Sequence, residues 1–486
     1  MGAATQCYFV WLCAVGQMTM RRYRHAKGVT ANISRSRRRP SLADPTAGWS
    51  NVNSIPLPRS FQTSDTSMVH DPTVLASVQS IHEAETRIRS NVRHTPLLPS
   101  ARLSLAFDAN ILLKREDLQD VRSYKIRGAY NRMTQLTPAQ RDAGVVCASA
   151  GNHAQGFAYA CNAMQIHGRI YMPAVTPKQK VDKVRMFGKQ HVDVFLVGDT
   201  FDDAAAEAHK ATAEGLTYVP PFDDPAIVAG QGTVGLEILE DYTDPIDYVL
   251  VAVGGGGLIS GLGSYFHHKS PATKIIGVEP SGAPAMYESL RQGKVVTLEK
   301  IDNFVDGAAV KRVGDLNFAI AGQVVDRMLL VPEGKVCSEM LRLYNDEGLV
   351  VEPAGALAIA ALEQMKDEIQ GKTVVCVVSG SNNDINRTEE IRDRALLYEG
   401  LQHYFIIKFP QRAGALRDFL NNVLGPTDDI THFEYTKKHN RETGPALVGL
   451  QIAKADDYAG LIERMNASHI EYQVVNEQRM LFELLV

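Results

Sequence analysis

The stretch YVLVAVGGGGLIS, residues 248–260, decides the fold class. Its first six residues are apolar and rich in valine, which predicts a strand, Tyr248–Val253, buried on both faces. Four glycines follow, and a helix is predicted from Ile259 to His267. A buried strand that turns through glycines into a helix is the repeating unit of α/β proteins with parallel sheets.

The same alternation continues on both sides of this stretch. The other predicted strands are Ile111–Lys114, Gly144–Ala148, Arg169–Met172, Val192–Val197, Lys274–Val278 and Thr373–Val378, and helices such as His153–Met164, Lys178–Phe187 and Phe201–Ala213 lie between them. We therefore expect an α/β core with its parallel sheet covered on both faces. Asp71 and Pro72, a helix cap followed by a proline, predict that the folded core begins with a helix there.

After Gly400 the alternation changes, which places a domain boundary between residues 71–400 and residues 401–486. The predicted order is strand, helix, strand, strand, helix, strand: His403–Phe409, Ala415–Val423, Ile430–Tyr435, Ala446–Ile452, Asp457–Met465 and Glu471–Val475. This βαββαβ order is that of a ferredoxin-like α+β domain.

Residues 1–70 are predicted to form a disordered basic leader and a linker. Residues 1–43 hold eight Lys or Arg and no acid, and the proline- and serine-rich stretch 40–70 is typical of disorder. The apolar run Tyr8 to Gly16 is too short for a membrane anchor, and its basic residues follow it rather than precede it as in a signal peptide. Two readings remain open: an organellar transit peptide, or a stretch upstream of a true start at Met18, Met20 or Met68.

Composition excludes several classes of function. The 486 residues carry a net charge of −4, which gives no electrostatic reason to bind nucleic acid or an anionic membrane. The six cysteines are far apart, so neither a disulfide framework nor a zinc site is expected. We expect a cytoplasmic protein, or an organelle-matrix protein if the leader is a transit peptide.

Four local motifs point to a ligand site. Gly254 to Gly257 favour a phosphate held by backbone N–H groups, although Gly255, Gly257 and Glu279 also suggest a dinucleotide site. That alternative is weakened by Ser260, which stands where the last glycine of the dinucleotide motif is needed. An NAD-dependent oxidoreductase therefore remains the rival from another class.

The other three motifs are less specific when each is taken alone. Lys125 lies between bulky neighbours and close to Arg127, and both desolvation and a nearby cation lower a lysine pKa, as covalent catalysis by an amine requires. Ser149-Ala-Gly-Asn-His153 follows a strand and opens a helix, a favourable place for an anion. Ser379 ends a predicted parallel strand, where α/β sheets bind ligands. Each motif also has an ordinary structural explanation: a solvated charge for Lys125, a capped turn for Ser149–His153 and a polar turn for Ser379.

Together and in this order, these motifs resemble the fold-type II pyridoxal-phosphate enzymes, and more narrowly the biosynthetic threonine deaminase family. KREDLQDVRSYKIRGAYN, ASAGNHAQG, VGGGGLISG, FVDGAAVKRVGD and VEPAGALAIA carry the resemblance, which extends from about residue 71 to the C-terminus. It implies a two-lobed catalytic core with pyridoxal 5'-phosphate as cofactor. Residues 401–486 resemble a single ACT-like regulatory domain.

The resemblance also implies roles for the site residues. Lys125 would bond to the cofactor, Gly254, Gly255, Gly256, Gly257 and Leu258 would bind its phosphate, Asn152 its ring hydroxyl and Ser379 its ring nitrogen, while Ser149, Gly151, Asn152 and His153 would hold the substrate carboxylate. No metal is expected, because Ala283, Pro284 and Ala285 offer no second carboxylate beside Glu279.

The implied reaction converts L-threonine, and also L-serine, into a keto acid and ammonia. From L-threonine the keto acid is 2-oxobutanoate, in the first step of isoleucine biosynthesis, and isoleucine is the expected inhibitor of a homo-oligomer, with a tetramer favoured by family resemblance. A catabolic serine/threonine dehydratase is the closer alternative, and a non-catalytic amino-acid sensor a more distant one.

Overall fold

The computed structural model describes residues 54–56, 72–435, 442–476, 478 and 481–482. Within them the strands are β1 Ser54–Pro56, β2 Leu97–Pro99, β3 Asn110–Arg115, β4 Val145–Ala148, β5 Gly168–Met172, β6 Val192–Leu196, β7 Thr217–Tyr218, β8 Tyr248–Ala252, β9 Lys274–Pro280, β10 Arg327–Val331, β11 Thr373–Val378, β12 Gln402–Pro410, β13 Asp429–Tyr435, β14 Thr443–Gln451 and β15 Glu471–Val474. The helices are α1 Val78–Ile88, α2 Ala101–Phe107, α3 Lys125–Thr134, α4 Pro138–Ala143, α5 Asn152–Met164, α6 Lys178–Gly188, α7 Phe201–Thr212, α8 Pro225–Asp241, α9 Gly257–Lys269, α10 Ala285–Gln292, α11 Asp315–Val324, α12 Glu333–Glu347, α13 Pro353–Ala360, α14 Thr388–Tyr398, α15 Ala415–Asn422 and α16 Asp457–Ala467.

The large lobe is built on a seven-stranded sheet in the order β1-β10-β9-β8-β11-β3-β2. Its five inner strands are parallel, and the two edge strands, β1 and β2, are antiparallel to their neighbours. Because β8 and β11 are parallel neighbours, the glycines after β8 and Ser379 after β11 emerge at the same edge of the sheet. This arrangement brings two distant motifs together.

The small lobe contains a parallel four-stranded sheet in the order β6-β5-β4-β7. The strand β4 leads into the turn that precedes α5, and α5 packs against α3. A side chain at Gly156 of α5 would lie 3.1 Å from the backbone of Ile126, so a glycine permits this close helix contact. That contact sets the position of Lys125, the first residue of α3.

The C-terminal domain has an antiparallel sheet in the order β13-β14-β12-β15, with α15 and α16 between its strands in sequence. Phe405, Phe419, Leu461 and Met465 are buried in its separate core. The predicted βαββαβ order and the predicted α/β core are therefore both confirmed.

Several predicted details of the core differ from the structure. The first α-helix begins at Val78, where the Ser77 side chain accepts a hydrogen bond from the Ser80 N–H, and Pro72–Val74 forms only a short 3-10 turn. The helix start expected at Asp71 was wrong because Ser77 provides the cap, and Asp71 itself lies outside the described residues. The sequence also missed β1, β2, β7 and β10, of which β1, β2 and β7 are too short for a clear pattern.

Most of the predicted leader and linker lies outside the described residues. Ser54–Pro56, within the predicted linker, pairs antiparallel with β10 as an edge strand. Among the helices in the described ranges, none combines the length and the apolar character that a bilayer crossing requires.

Candidate active site

Lys125 opens α3 and directs its amine toward the segment between β7 and α8. The Lys125 Nζ atom donates a hydrogen bond to the Pro221 carbonyl at 2.9 Å and lies 5.8 Å from the centroid of the Phe222 ring. Burial lowers the pKa of Lys125 to about 8, and the nearby Glu352 partly opposes that shift. The amine is therefore about half neutral near pH 8, and the neutral form is the one that a nucleophile or base requires.

Arg127 does not contribute to this shift, contrary to the sequence-based expectation. Its guanidinium donates to the carboxylates of Glu116 and Glu237, with the shortest nitrogen–oxygen distance of each pair at 2.7 and 2.6 Å. Two buried carboxylates neutralise its charge, so desolvation accounts for the lowered pKa of Lys125.

The glycine loop after β8 presents a row of unused donors. The backbone N–H groups of Gly254, Gly255, Gly256, Gly257 and Leu258 have no hydrogen-bond partner in the described part of the chain. Gly256 has φ +95°, a left-handed conformation that favours glycine, and it caps α9. Donors at the N-terminus of a helix of this length form a site for an anion such as a phosphate group.

Neighbouring residues hold this loop in place. The Gly255 carbonyl accepts hydrogen bonds from Asn317 Nδ2 at 2.9 Å and from the Gly314 N–H at 3.2 Å. A Cβ atom at Gly255 would overlap the Phe222 ring, and one at Gly254 would lie 3.0 Å from the Ala308 backbone. Glycine is therefore required here for packing as well as for conformation.

The turn before α5 is a second place where a ligand could approach the backbone. The Ser149 hydroxyl accepts a hydrogen bond from the Gly151 N–H at 3.2 Å, and a Cβ atom at Gly151 would meet nothing within 4 Å. The open space above Gly151 leaves room for a ligand to approach the backbone. Of the predicted carboxylate contacts, Ser149 and Gly151 thus face accessible space.

The His153 side chain points away from this space. Its Nε2 atom lies 3.0 Å from the Val219 carbonyl, and burial, with Lys125 nearby, lowers the pKa of His153 to about 3. The imidazole is neutral and donates to that carbonyl, so only the backbone of His153 is left for a substrate.

Asn152 and Ser379 are the two remaining side chains that the sequence assigned to the cofactor ring. Asn152 Nδ2 donates to Glu352 Oε1 at 2.6 Å, and Asn152 Oδ1 accepts from Asn382 Nδ2 at 2.8 Å. Ser379 is buried, and its hydroxyl has no hydrogen-bond partner among the residues described. A neutral hydroxyl without a partner suits a contact with an unprotonated ring nitrogen.

The sequence suggested no role for four groups of the site: Glu352, Asn382, the Phe222 ring and the Pro221 carbonyl. The motif VEPAGALAIA contains Glu352 and contributed to the resemblance, but no role was inferred for this residue. Nothing in the local sequence marks Pro221 or Phe222, because their importance comes from the fold.

Glu279 is engaged in a structural role. Its two carboxyl oxygens accept the N–H groups of Met286 and Tyr287, each at 2.8 Å, at the start of α10. Burial raises the pKa of Glu279 to about 8, against the effect of these two donors. A carboxyl group that caps a helix is not free to bind a ribose. This contact argues against a dinucleotide-binding site that uses Glu279.

These groups fit pyridoxal phosphate. Its phosphate needs a set of N–H donors, which Gly254 to Leu258 leave unused, and its aldehyde needs an amine of lowered pKa, which Lys125 supplies. The Ser379 hydroxyl is available for the ring nitrogen. The chemistry of the donor set therefore matches this cofactor.

Comparisons with known proteins agree with this geometry. Residues 88–380 match the family model described as "Pyridoxal-phosphate dependent enzyme", and residues 393–485 match "C-terminal regulatory domain of Threonine dehydratase". The chain belongs to the pyridoxal-phosphate-dependent enzymes and, within them, to the threonine dehydratases.

Individual relatives support this assignment over most of the chain. It is 55% identical over 410 residues to the biosynthetic L-threonine dehydratase IlvA of Halalkalibacterium halodurans, covering 84% of this chain and 99% of that protein. The corresponding Bacillus subtilis protein is 56% identical over 413 residues, covering 85% and 98%. The processed form of threonine deaminase isoform 2 from Solanum lycopersicum superposes with a TM-score of 0.62 at 38% identity, covering 66% of this chain and 95% of that one.

Proposed function

We propose that this enzyme deaminates L-threonine to 2-oxobutanoate and ammonia as the first step of isoleucine biosynthesis. The biosynthetic threonine dehydratases at 55% and 56% identity support this function. The observation that carries it is the partly buried amine of Lys125, of lowered pKa, which lies 5.8 Å from the Phe222 ring against which Gly255 packs.

Each group on the chain has a separate task in this reaction. Gly254 to Leu258 would hold the cofactor phosphate, and the Ser149–His153 turn would hold the substrate carboxylate through its N–H and hydroxyl groups. Bound pyridoxal phosphate supplies an electron sink for bonds next to the amino group. Lys125, displaced by the substrate amine, would take the α-proton, because burial lowers its pKa to about 8 and makes the neutral amine accessible near that pH.

The neutral partner at Ser379 favours elimination. A carboxylate in its place would keep the ring nitrogen protonated and favour transamination. The hydroxyl leaves that nitrogen unprotonated, which suits loss of the β-hydroxyl group from threonine.

The direct test is to measure keto acid and ammonia released from L-threonine and from L-serine. We expect equal amounts of 2-oxobutanoate and ammonia from threonine. Release of pyruvate from serine with little turnover of threonine would favour the catabolic alternative. Hydride transfer to NAD without ammonia release would favour the oxidoreductase.

For regulation, we propose that isoleucine inhibits the enzyme through residues 401–486. Gly414, with φ +86°, caps α15, and the turn from Pro410 to Gly414 could present backbone donors to an amino-acid carboxylate. A chain ending at Gly400 should keep deaminase activity and lose its response to isoleucine. Persistent inhibition of that shortened, folded enzyme would contradict this role.

The proposal includes three further features. A homo-oligomer, with a tetramer as the favoured form, would let one ACT-like domain complete its effector site with a partner subunit. We place the enzyme in the cytoplasm, or in an organelle matrix if residues 1–70 form a transit peptide. A chain beginning at Met68 should remain active, since it loses only the edge pairing of Ser54–Pro56 among the described contacts.

A further inference from the structure

Glu352 is a buried carboxyl group that the mechanism above does not use. It directly precedes α13 and has 4% of its surface exposed. Besides the Asn152 amide at Oε1, it accepts the Asn382 N–H at Oε2, 3.2 Å away. The carboxylate thus joins α5 of the small lobe to the loop that follows β11 in the large lobe.

Two neighbours, Asn382 and Glu352, fix the orientation of the Asn152 amide. Asn382 Nδ2 donates to the Val121 carbonyl at 2.8 Å, and a carbonyl can only accept, so Asn382 presents its NH₂ group to Asn152 as well. Asn152 must therefore turn its oxygen to Asn382 and its NH₂ group to Glu352. One hydrogen of that group goes to Glu352, and the second is left for a ligand.

The packing around Glu352 leaves the carboxylate little freedom. A Cβ atom at Gly380 would overlap Glu352 Oε1, and one at Gly307 would lie 3.5 Å from the same oxygen. The backbone N–H of Glu352 also donates to the Gly380 carbonyl at 3.2 Å. The Gly380 backbone thus lies directly against this carboxylate and limits its movement.

Burial places the ionisation of Glu352 in the physiological range. It raises the pKa of Glu352 to about 7, and the Asp306 charge adds to this shift, while the Asn152 amide, the Asn382 N–H and Lys180 oppose it. The other titratable groups on which the Glu352 charge acts are Tyr124, Lys125 and Lys183.

We propose that Glu352 is a positioning residue whose carboxylate orients the Asn152 amide toward the cofactor ring hydroxyl. Protonation of Glu352 weakens the hydrogen bonds that fix this orientation. Both oxygens accept N–H groups, so a proton on either one removes a hydrogen bond to Asn152 or to Asn382. The inference rests on the proposed role of Asn152 as a cofactor contact. The hydrogen bond between Glu352 and Asn152 should weaken as the pH falls through about 7, because the protonated, neutral form of Glu352 is then populated.

The test is the visible absorbance of the cofactor-loaded enzyme as a function of pH, without substrate. We expect the wild-type spectrum to change with a midpoint near pH 7, and the Glu352→Gln enzyme to keep the low-pH spectrum throughout. At pH ~8 this variant should bind the cofactor about tenfold more weakly, the change expected from losing one charge-assisted hydrogen bond. A wild-type midpoint in the variant would overturn the proposal.

Two further variants separate positioning from a general structural effect. Glu339→Gln changes another buried carboxylate of the large lobe, one that pairs with Arg102, and should leave the spectrum unchanged. In an Asn152→Ala background, Glu352→Gln should cause no further loss of cofactor affinity. An undiminished loss in that background would overturn the proposal. Because no measurement uses threonine, these results stand apart from the test of the proposed function.

Discussion

The two sides of the active site obtain their hydrogen-bonding groups in different ways. The loop Gly254–Leu258 offers backbone N–H groups from consecutive residues, and they are unused in the described chain. On the other side, Asn152, Glu352 and Asn382 come from three separate segments and bond to one another. A backbone cradle can thus be recognised in one short stretch, whereas a side-chain network exists only after folding.

The two sides should also respond differently to conditions. Backbone N–H groups do not titrate between pH 6 and 8. The affinity of the glycine loop for a phosphate group should therefore change in that range only through the ionisation of the phosphate itself. The side-chain network contains Glu352, and burial raises the pKa of Glu352 to about 7, within that range. We propose that Lys125 provides the covalent link to the cofactor on which both sides depend.

The largest effect is expected from removing that link. Lys125→Ala should lower turnover by at least about a thousandfold and abolish the visible absorbance of the bound cofactor, because its amine is both the attachment point and the base. Activity assays and absorbance spectra of the purified variant measure both. Lys183→Ala, which removes another lysine near Asn382, should keep the absorbance. Loss of the band only in the control would contradict the assignment.

The pH dependence of covalent attachment tests the same amine without a substitution. In enzyme stripped of cofactor, the attachment rate should rise about tenfold per pH unit below pH 8 and level off above it, because only the neutral amine reacts and its pKa is lowered to about 8. Stopped-flow absorbance after adding the cofactor measures this rate. A rise that continued toward pH 10 would mean that burial does not lower this pKa.

A methyl group on the glycine loop separates packing from ligand binding. Gly255→Ala should destabilise the fold by about 1–3 kcal/mol and weaken cofactor binding, because its Cβ would overlap the Phe222 ring. Denaturant unfolding and a cofactor titration measure the two effects.

Gly151→Ala is the matched change on the substrate side. Its Cβ enters open space, so the free energy of unfolding should change by less than about 0.5 kcal/mol while the KM for threonine rises. Equal destabilisation by the two substitutions would show that the open space above Gly151 has no special role.

The smallest effect is expected at the ring nitrogen. Ser379→Ala should weaken cofactor affinity about two- to tenfold, the range for losing one neutral hydrogen bond. Ser381→Ala is the control, because the Ser381 hydroxyl already donates to the Asp117 carbonyl at 3.3 Å. If only the Ser381 variant lost cofactor, the partner of the ring nitrogen would have to be reassigned. Ser379→Asp should in addition shift the products toward transamination.

Much of the fold could be predicted from the sequence because its strands are continuous apolar runs. Thr373–Val378 was predicted to the residue, and the order of the C-terminal elements was predicted correctly. Most of the errors fall where local signals are weak or compete, although the apolar strand Arg327–Val331 was also missed. Leu97–Pro99 and Thr217–Tyr218 are too short to show a period, and Ser77 rather than Asp71 caps the first helix.

Within the site, the sequence pointed to residues that lie in compact motifs. It gave Arg127 the wrong role, since its buried partners, Glu116 and Glu237, are distant in sequence or separated by a loop. It did not reveal that the His153 imidazole turns to Val219, nor that Glu352 meets Asn152. These contacts depend on how α5 packs and could not be inferred from spacing.

The central claim is that Lys125 is the residue that bonds to the cofactor. The most direct measurement is to reduce the cofactor-loaded enzyme with borohydride, digest it, and locate the modified lysine by mass spectrometry. The account predicts the label on Lys125 within the segment SYKIRGAYN, with no other lysine modified to a comparable extent. A label on Lys114, Lys183 or any other lysine, with Lys125 unmodified, would contradict it.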